Sequence, residues 1–193
     1  MKKKSIRAIT GVSVLVVLIV GLLLVTPFGT VSAYIEGKGG PGGRNGFSGG
    51  TGTSVTGTGV ALPPLTDSEK DALTQAILEE YGALNLYNSV IAEFGNISPF
   101  YRIARSEQQH VNALIRQAAK YGVTIPENPG MAEDIAFDSI SEACAAGTAA
   151  EIADAALYDK LKTVTTHIDI LLVYTSLQNA SLNNHLPAFQ ACE

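Results

Sequence analysis

Three histidines occur in the 193 residues, and two of them stand where they can do chemistry. His110 follows Glu107 by three positions, so on a helix both side chains leave one face with Cβ atoms about 5 to 6 Å apart. A carboxylate and an imidazole at that spacing can grip one metal ion, and such a Glu-x-x-His pair is the unit from which helical bundles build two-ion sites. The same pair also arises as an ordinary solvated face, so it needs partners to carry weight. Glu80 supplies one: Glu80 and His110 both lie 15 residues from Gly95, and a chain that turns back there brings them to one height. For two helices turning near 163–166, Glu151 and His185 come out at similar depth. A buried carboxylate is costly unless a cation or hydrogen bonds offset it, so carboxylates meeting at one level call for an explanation.

Four helices must position these groups, and local signals predict each of them. Thr66-Asp67-Ser68-Glu69 matches a capping box and opens the first helix, whose apolar residues Leu73, Ile77, Leu84, Tyr87 and Ile91 recur at helical spacing up to Gly95-Asn96. Ser98-Pro99 predicts a cap and a first-turn proline for the second helix, which Tyr121-Gly122 closes. The stretch 123–137 carries two prolines and reads as a crossover loop. Ser139-Ile140-Ser141-Glu142 is a second capping box, opening a third helix that runs to about Lys162 despite Gly147. Thr165 or Thr166 is the expected cap of a fourth helix reaching about Phe189, with Pro187 loosening its last turn. Two short-looped hairpins joined by a longer crossover describe an all-α antiparallel four-helix bundle; an irregular all-helical domain is the rival.

Cys144 and Cys192 each lie seven residues from a candidate ligand, Glu151 and His185. The register that pairs those ligands therefore brings the two sulfurs to one level, and a disulfide is expected there, with two buried thiols as the alternative.

The chain is uneven along its length. Residues 1–33 hold four of the thirteen basic residues and none of the eighteen acidic ones, and the run from Ile9 to Val25 is mainly apolar. With Val31-Ser32-Ala33 after it, this reads as a secretory signal, or else as an uncleaved anchor. Either form puts the rest of the chain outside the cytoplasm, secreted or tethered to the cell surface, and membrane contact is expected only through an uncleaved segment. Residues 34–60 are rich in Gly and Thr and read as a flexible tether with a reach of roughly 25 Å. Only 61–193 can build a core. Beyond residue 33 nine basic residues face eighteen acidic ones, a net charge of minus nine. Such a surface repels phosphate backbones, so nucleic acid is not an expected partner, whereas metal ions are.

The segments Glu79 to Tyr87, Ile103 to His110, Gly147 to Asp154 and His185 to Phe189 resemble the ferritin-like domain of unknown function DUF2202, most specifically through Ser106-Glu107-Gln108-Gln109-His110. Glu80 with Ala83 and Tyr87 is also similar to the first helix of rubrerythrins and ferritins, where the glutamate is a metal ligand and the tyrosine lies close by. The resemblance implies a ferritin-like bundle with Glu80, Glu107, His110, Glu151 and His185 as ligands. It also implies a sixth ligand, a glutamate three residues before His185, where this chain has Leu182. Asp154, one turn beyond Glu151, is the candidate substitute, with Ser181 or Asn183 donating hydrogen bonds. His167 reads as a solvent-exposed or capping residue, and Glu79 as the solvated neighbour of Glu80.

Two functions follow. One is a metalloprotein holding one or two iron or manganese ions, with zinc also able to bind, and open to oxygen or peroxide chemistry in which Tyr87 tunes the site or donates an electron. The other is a surface-displayed structural bundle whose site is degenerate. Self-association into a homodimer stays open.

Overall fold

The computed structural model describes residues 63–131 and 135–193. The signal or anchor and the whole tether therefore lie outside the described residues. Four helices, α1 (Asp67–Phe94), α2 (Phe100–Tyr121), α3 (Ile140–Val164) and α4 (Ile168–Ala180), are followed by a π-helical turn (Ser181–His185) and a short α5 (Leu186–Gln190). Among the described residues there is no strand, and no helix is long and apolar enough to cross a membrane.

The capping signals act as expected at α1 and in part elsewhere. Thr66 Oγ1 accepts from the Glu69 amide at 3.2 Å while Glu69 Oε2 accepts from the Thr66 amide at 2.9 Å. A cap of this type contributes about 1 kcal/mol. Gly95 ends α1 at φ 84°, and Gly122 ends α2 at φ 66°, both in the half of conformational space that a Cβ disfavours. At α3, Ser139 caps the Glu142 amide, but the Glu142 carboxylate reaches back to the Asp138 amide instead of completing the box. Ser98 does not cap α2. Pro99 stands at that position, and its carbonyl takes the amides of Arg102 and Ile103. Neither threonine caps α4 either: His167 precedes its first residue, Thr165 bonds back to Leu161 O, and Thr166 turns to Glu69.

Along α1, α2 and α3, and along α4 taken with its continuation into α5, two apolar stretches flank a polar interval. Leu73 and Ile77 of α1, Leu114 and Ala118 of α2, Leu161 of α3 and Tyr174 of α4 belong to one buried cluster. Leu84 and Tyr87, Ile103 and Ala104, Cys144, and Phe189 of α5 belong to the other. The interval between them holds Glu80, Glu107, His110, Glu151 and His185. Tyr87 meets Glu151 and Tyr158 meets Glu80, so α1 and α3 run antiparallel. The long crossover over 123–139 produces that arrangement.

Cys144 and Cys192 form the expected disulfide, 48 residues apart in sequence. Closing a loop of that length contributes about 4 kcal/mol by chain entropy. Gly147 explains itself at the same end: a Cβ there would lie 2.7 Å from the Phe189 ring. The glycine costs about 1 kcal/mol of helix propensity and admits the ring that packs on Tyr87, with centroids 4.9 Å apart.

Candidate metal centre

The five side chains matched in height by the sequence converge. Glu80, Glu107, His110, Glu151 and His185 are between 1% and 7% exposed, in the middle of the bundle. They form two groups that share one member, Glu80–Glu107–His110 and Glu107–Glu151–His185, each with one ligand atom per residue within 4.8 Å of the others. His110 Nδ1 lies 2.7 Å from Glu107 Oε2 and 3.2 Å from Glu80 Oε2. His185 Nδ1 lies 2.8 Å from Glu107 Oε1 and 3.4 Å from Glu151 Oε2. Glu107 thus turns one oxygen to each half, and the two imidazole rings stack at 5.4 Å.

His110 Nδ1 and Glu80 Oε2 make a hydrogen bond, but the contacts of His185 Nδ1 do not close into one. Glu107 Oε1 and His185 Nδ1 are buried and without a hydrogen-bond partner although they are 2.8 Å apart, because neither is aligned on the other. Two lone-pair atoms that crowd one space without bonding are arranged as ligands of a common cation. The donor set, carboxylate oxygen and imidazole nitrogen, suits iron, manganese or zinc. The residues present therefore fit a metal ion.

Four buried carboxylates, counting Asp154, face two imidazoles, and among the described residues no lysine or arginine pairs with any of them. Burial pushes the Glu80 carboxyl well above its ordinary value, and burial likewise raises Glu151. Glu107 goes the other way: burial opposes its charge, but the two imidazoles set against it, His110 and His185, outweigh burial and hold it at about 2. Burial also opposes the charged imidazoles, yet Glu107 and Glu80 lift His110 to about 10, and Glu107 and Glu151 lift His185 to about 9.

Tyrosines brace the carboxylates. Tyr87, fully buried, donates its hydroxyl to Glu151 Oε1 at 2.5 Å. Tyr158 does the same to Glu80 Oε1 from the opposite helix. Burial and the neighbouring carboxylate keep both phenols protonated and hence donors. Sequence reasoning found Tyr87 and missed Tyr158, although a signal existed: each tyrosine stands seven residues after the glutamate of its own helix, and each bonds the glutamate of the other.

Asp154 lies outside both ligand groups. It is buried, accepts from Ser181 Oγ at 2.6 Å on Oδ2, and leaves Oδ1 unpartnered; burial raises it to about 8. The place of Leu182 also differs from the α-helical count. Pro187 lacks an amide, and its ring would meet the carbonyl four residues back. The chain widens into a π turn just before it, and the Leu186 amide bonds Ser181 O, five residues away. Four residues before His185, Ser181 is 1% exposed, whereas Leu182, three before, is 40% exposed. A glutamate at 182 would point outward on this backbone, so Leu182 takes no ligand from the interior.

Two further expectations are met only in part. His167 does stand at the N-cap position of α4, one of the two expected alternatives, but it is not solvent-exposed and its side chain bonds elsewhere: that side chain is 9% exposed, with Nδ1 donating to Glu69 Oε1 at 2.8 Å and Nε2 to Pro63 O at 3.0 Å. Glu79 is half-buried, not fully solvated, and burial with the nearby Glu151 charge raises its carboxyl.

Fold and site together define an all-helical bundle that buries a carboxylate–imidazole cage able to hold metal ions. The family model described as "Uncharacterized protein domain (DUF2202)" matches residues 69–192, and the chain belongs to that family. Among solved structures it is similar to hypothetical protein MJ0754 from Methanococcus jannaschii DSM 2661, at 27% identity and a TM-score of 0.60, over 67% of this chain and 82% of that one. No curated protein matches it.

Proposed function

We propose that this chain is an exported, ferritin-like metalloprotein with a two-ion iron or manganese site and oxygen or peroxide redox activity. One observation carries the reading: Glu107 turns its two oxygens to two different imidazole nitrogens, at 2.7 and 2.8 Å, without hydrogen-bonding geometry between Oε1 and His185 Nδ1. Glu80 and His110 would hold one ion, Glu151 and His185 the other, and Glu107 would bridge them. Bound iron or manganese supplies the electrons that such chemistry needs. The chain's own part is to hold and to exclude. Tyr87 and Tyr158 each occupy one oxygen of Glu151 and Glu80, leaving Oε2 of each to face an imidazole. The Tyr87 hydrogen bond to Glu151 supports a role for this tyrosine in tuning Glu151 or giving up an electron. The apolar layers on either side keep water out. The signal-like residues 1–33 and a disulfide suited to an oxidising compartment support export.

The structural alternative rests on the missing sixth carboxylate: Leu182 faces out and Asp154 is engaged by Ser181. Against it, a dead site in a core is expected to give way to apolar residues, which are often neutral or stabilising there. Metal counting separates the two. The purified protein, loaded anaerobically with ferrous iron or with manganese, should hold close to two ions per chain, and the Glu107→Ala, His110→Ala double variant should lose them. Fewer than about 0.2 ions in the unmutated protein would establish the structural reading, since a competent site fills. Oxygen uptake and peroxide consumption by the loaded protein then test the redox part.

A further inference from the structure

We propose that Ser106 is the positioning residue of this site, a single hydroxyl that holds both ligand imidazoles in their metal-binding orientation. The inference rests on the metal reading above and assigns a role within it. Ser106 stands one helical turn before His110 on α2. Its Oγ lies 3.3 Å from His110 Nε2 and 3.1 Å from His185 Nε2, and neither Nε2 has another hydrogen-bond partner among the described residues. Both rings present Nδ1 to the carboxylates, so Nε2 is the outward atom in each.

Proton placement makes the hydroxyl specific. An imidazole that gives its Nδ1 lone pair to a metal carries its proton on Nε2, and that N–H needs an acceptor to fix the ring. Two such N–H groups converge on one serine oxygen, which has two lone pairs and can accept both. The serine proton is then left over, and it is not spent on the Arg102 carbonyl four residues back, the usual acceptor for a helical serine. It is free to turn toward a surface hollow of about 250 Å³ that Ser106 lines together with Tyr101, Arg102, Arg105 and Gln109. Ser106 is half-buried while the ligands are buried, so it is the point where the cage comes nearest that hollow. Because the rings belong to different halves of the site, loss of the hydroxyl weakens both metal positions together.

Threonine and valine at this position have nearly the same shape and differ in the hydroxyl. Ser106→Thr and Ser106→Val should be titrated with cobalt(II) alongside the unmutated protein, following both affinities and the visible absorption of the bound ion. The expected result is a loss of about 10- to 100-fold at both steps for Ser106→Val with an altered spectrum, and affinities within about threefold of the unmutated protein for Ser106→Thr. Melting of the metal-free variants shows that each is folded. Affinities and spectra of Ser106→Val that match Ser106→Thr would overturn the role of Ser106 and leave the metal site standing. No cobalt uptake by the unmutated protein would overturn both.

Discussion

Two buried carboxylate–imidazole clusters occupy this bundle, built from the same residue types and finished in opposite ways. At one end, Glu69 is 1% exposed and all its acceptor capacity is used. Oε2 takes the amide and hydroxyl of Thr66, and Oε1 takes the amide and hydroxyl of Thr166 together with His167 Nδ1. His167 spends its second proton on Pro63 O. In the middle, Glu107 Oε1 and His185 Nδ1 face each other at 2.8 Å with no bond made. The end cluster is closed by the protein's own donors, and it ties the entry of α1 to the α3–α4 loop. The central cluster leaves Glu107 Oε1 and His185 Nδ1 without a hydrogen-bond partner, which is what a cation completes. Burial of a Glu and a His is therefore uninformative by itself; whether their hydrogen bonds are completed distinguishes a strut from a site.

The contrast can be broken from the end cluster first. Glu69→Ala leaves five donors without their acceptor and one imidazolium without its counter-ion, so chemical denaturation should show a loss of about 3 kcal/mol, the lower end for a broken buried pair because the His167 residue is partly exposed. Metal content should not change. A variant that keeps its stability, or that loses metal in proportion to stability, would erase the division between the two clusters.

A smaller and graded effect follows from pH. Burial opposes charge on Glu69, but the hydrogen bonds from His167, Thr166 and Thr66 hold its carboxyl well below the usual 4.5. Its contribution is present above that value and fades as pH falls toward the lower folded one. His167 is raised above 6.5, chiefly by Glu69, so its contribution is full below 6.5 and is lost as pH climbs through the raised value. The end cluster thus stabilises most between about pH 4.5 and 6.5, and the difference in stability between the unmutated protein and Glu69→Ala, measured across pH, should peak there. A flat difference would contradict the ion pair.

Much of the central site was legible in the sequence because hairpin geometry is nearly sequence-independent. Positions mirrored about Gly95, or about a point at residue 168 just past the second turn, meet where two helices pack side by side, and Glu80 with His110, Glu151 with His185 and Cys144 with Cys192 all did. What escaped depended on local departures from the α-helix or on distant partners. The π turn before Pro187 shifts inward facing from Leu182 to Ser181, and an α-helical count cannot see it. Glu69 looked like a cap residue and nothing more, since its second partner lies 98 residues away in sequence. Ser106 stood inside the most specific motif, but its role needs both histidines in place.

The central claim is that Glu107 sits between two cations. Anomalous diffraction from crystals of the protein loaded with manganese or iron tests it most directly. The account predicts two peaks flanking Glu107, one reached by His110 Nδ1 with Glu80 and one by His185 Nδ1 with Glu151. No peak inside the bundle, or ions bound through the Nε2 atoms on the Ser106 side, would contradict it.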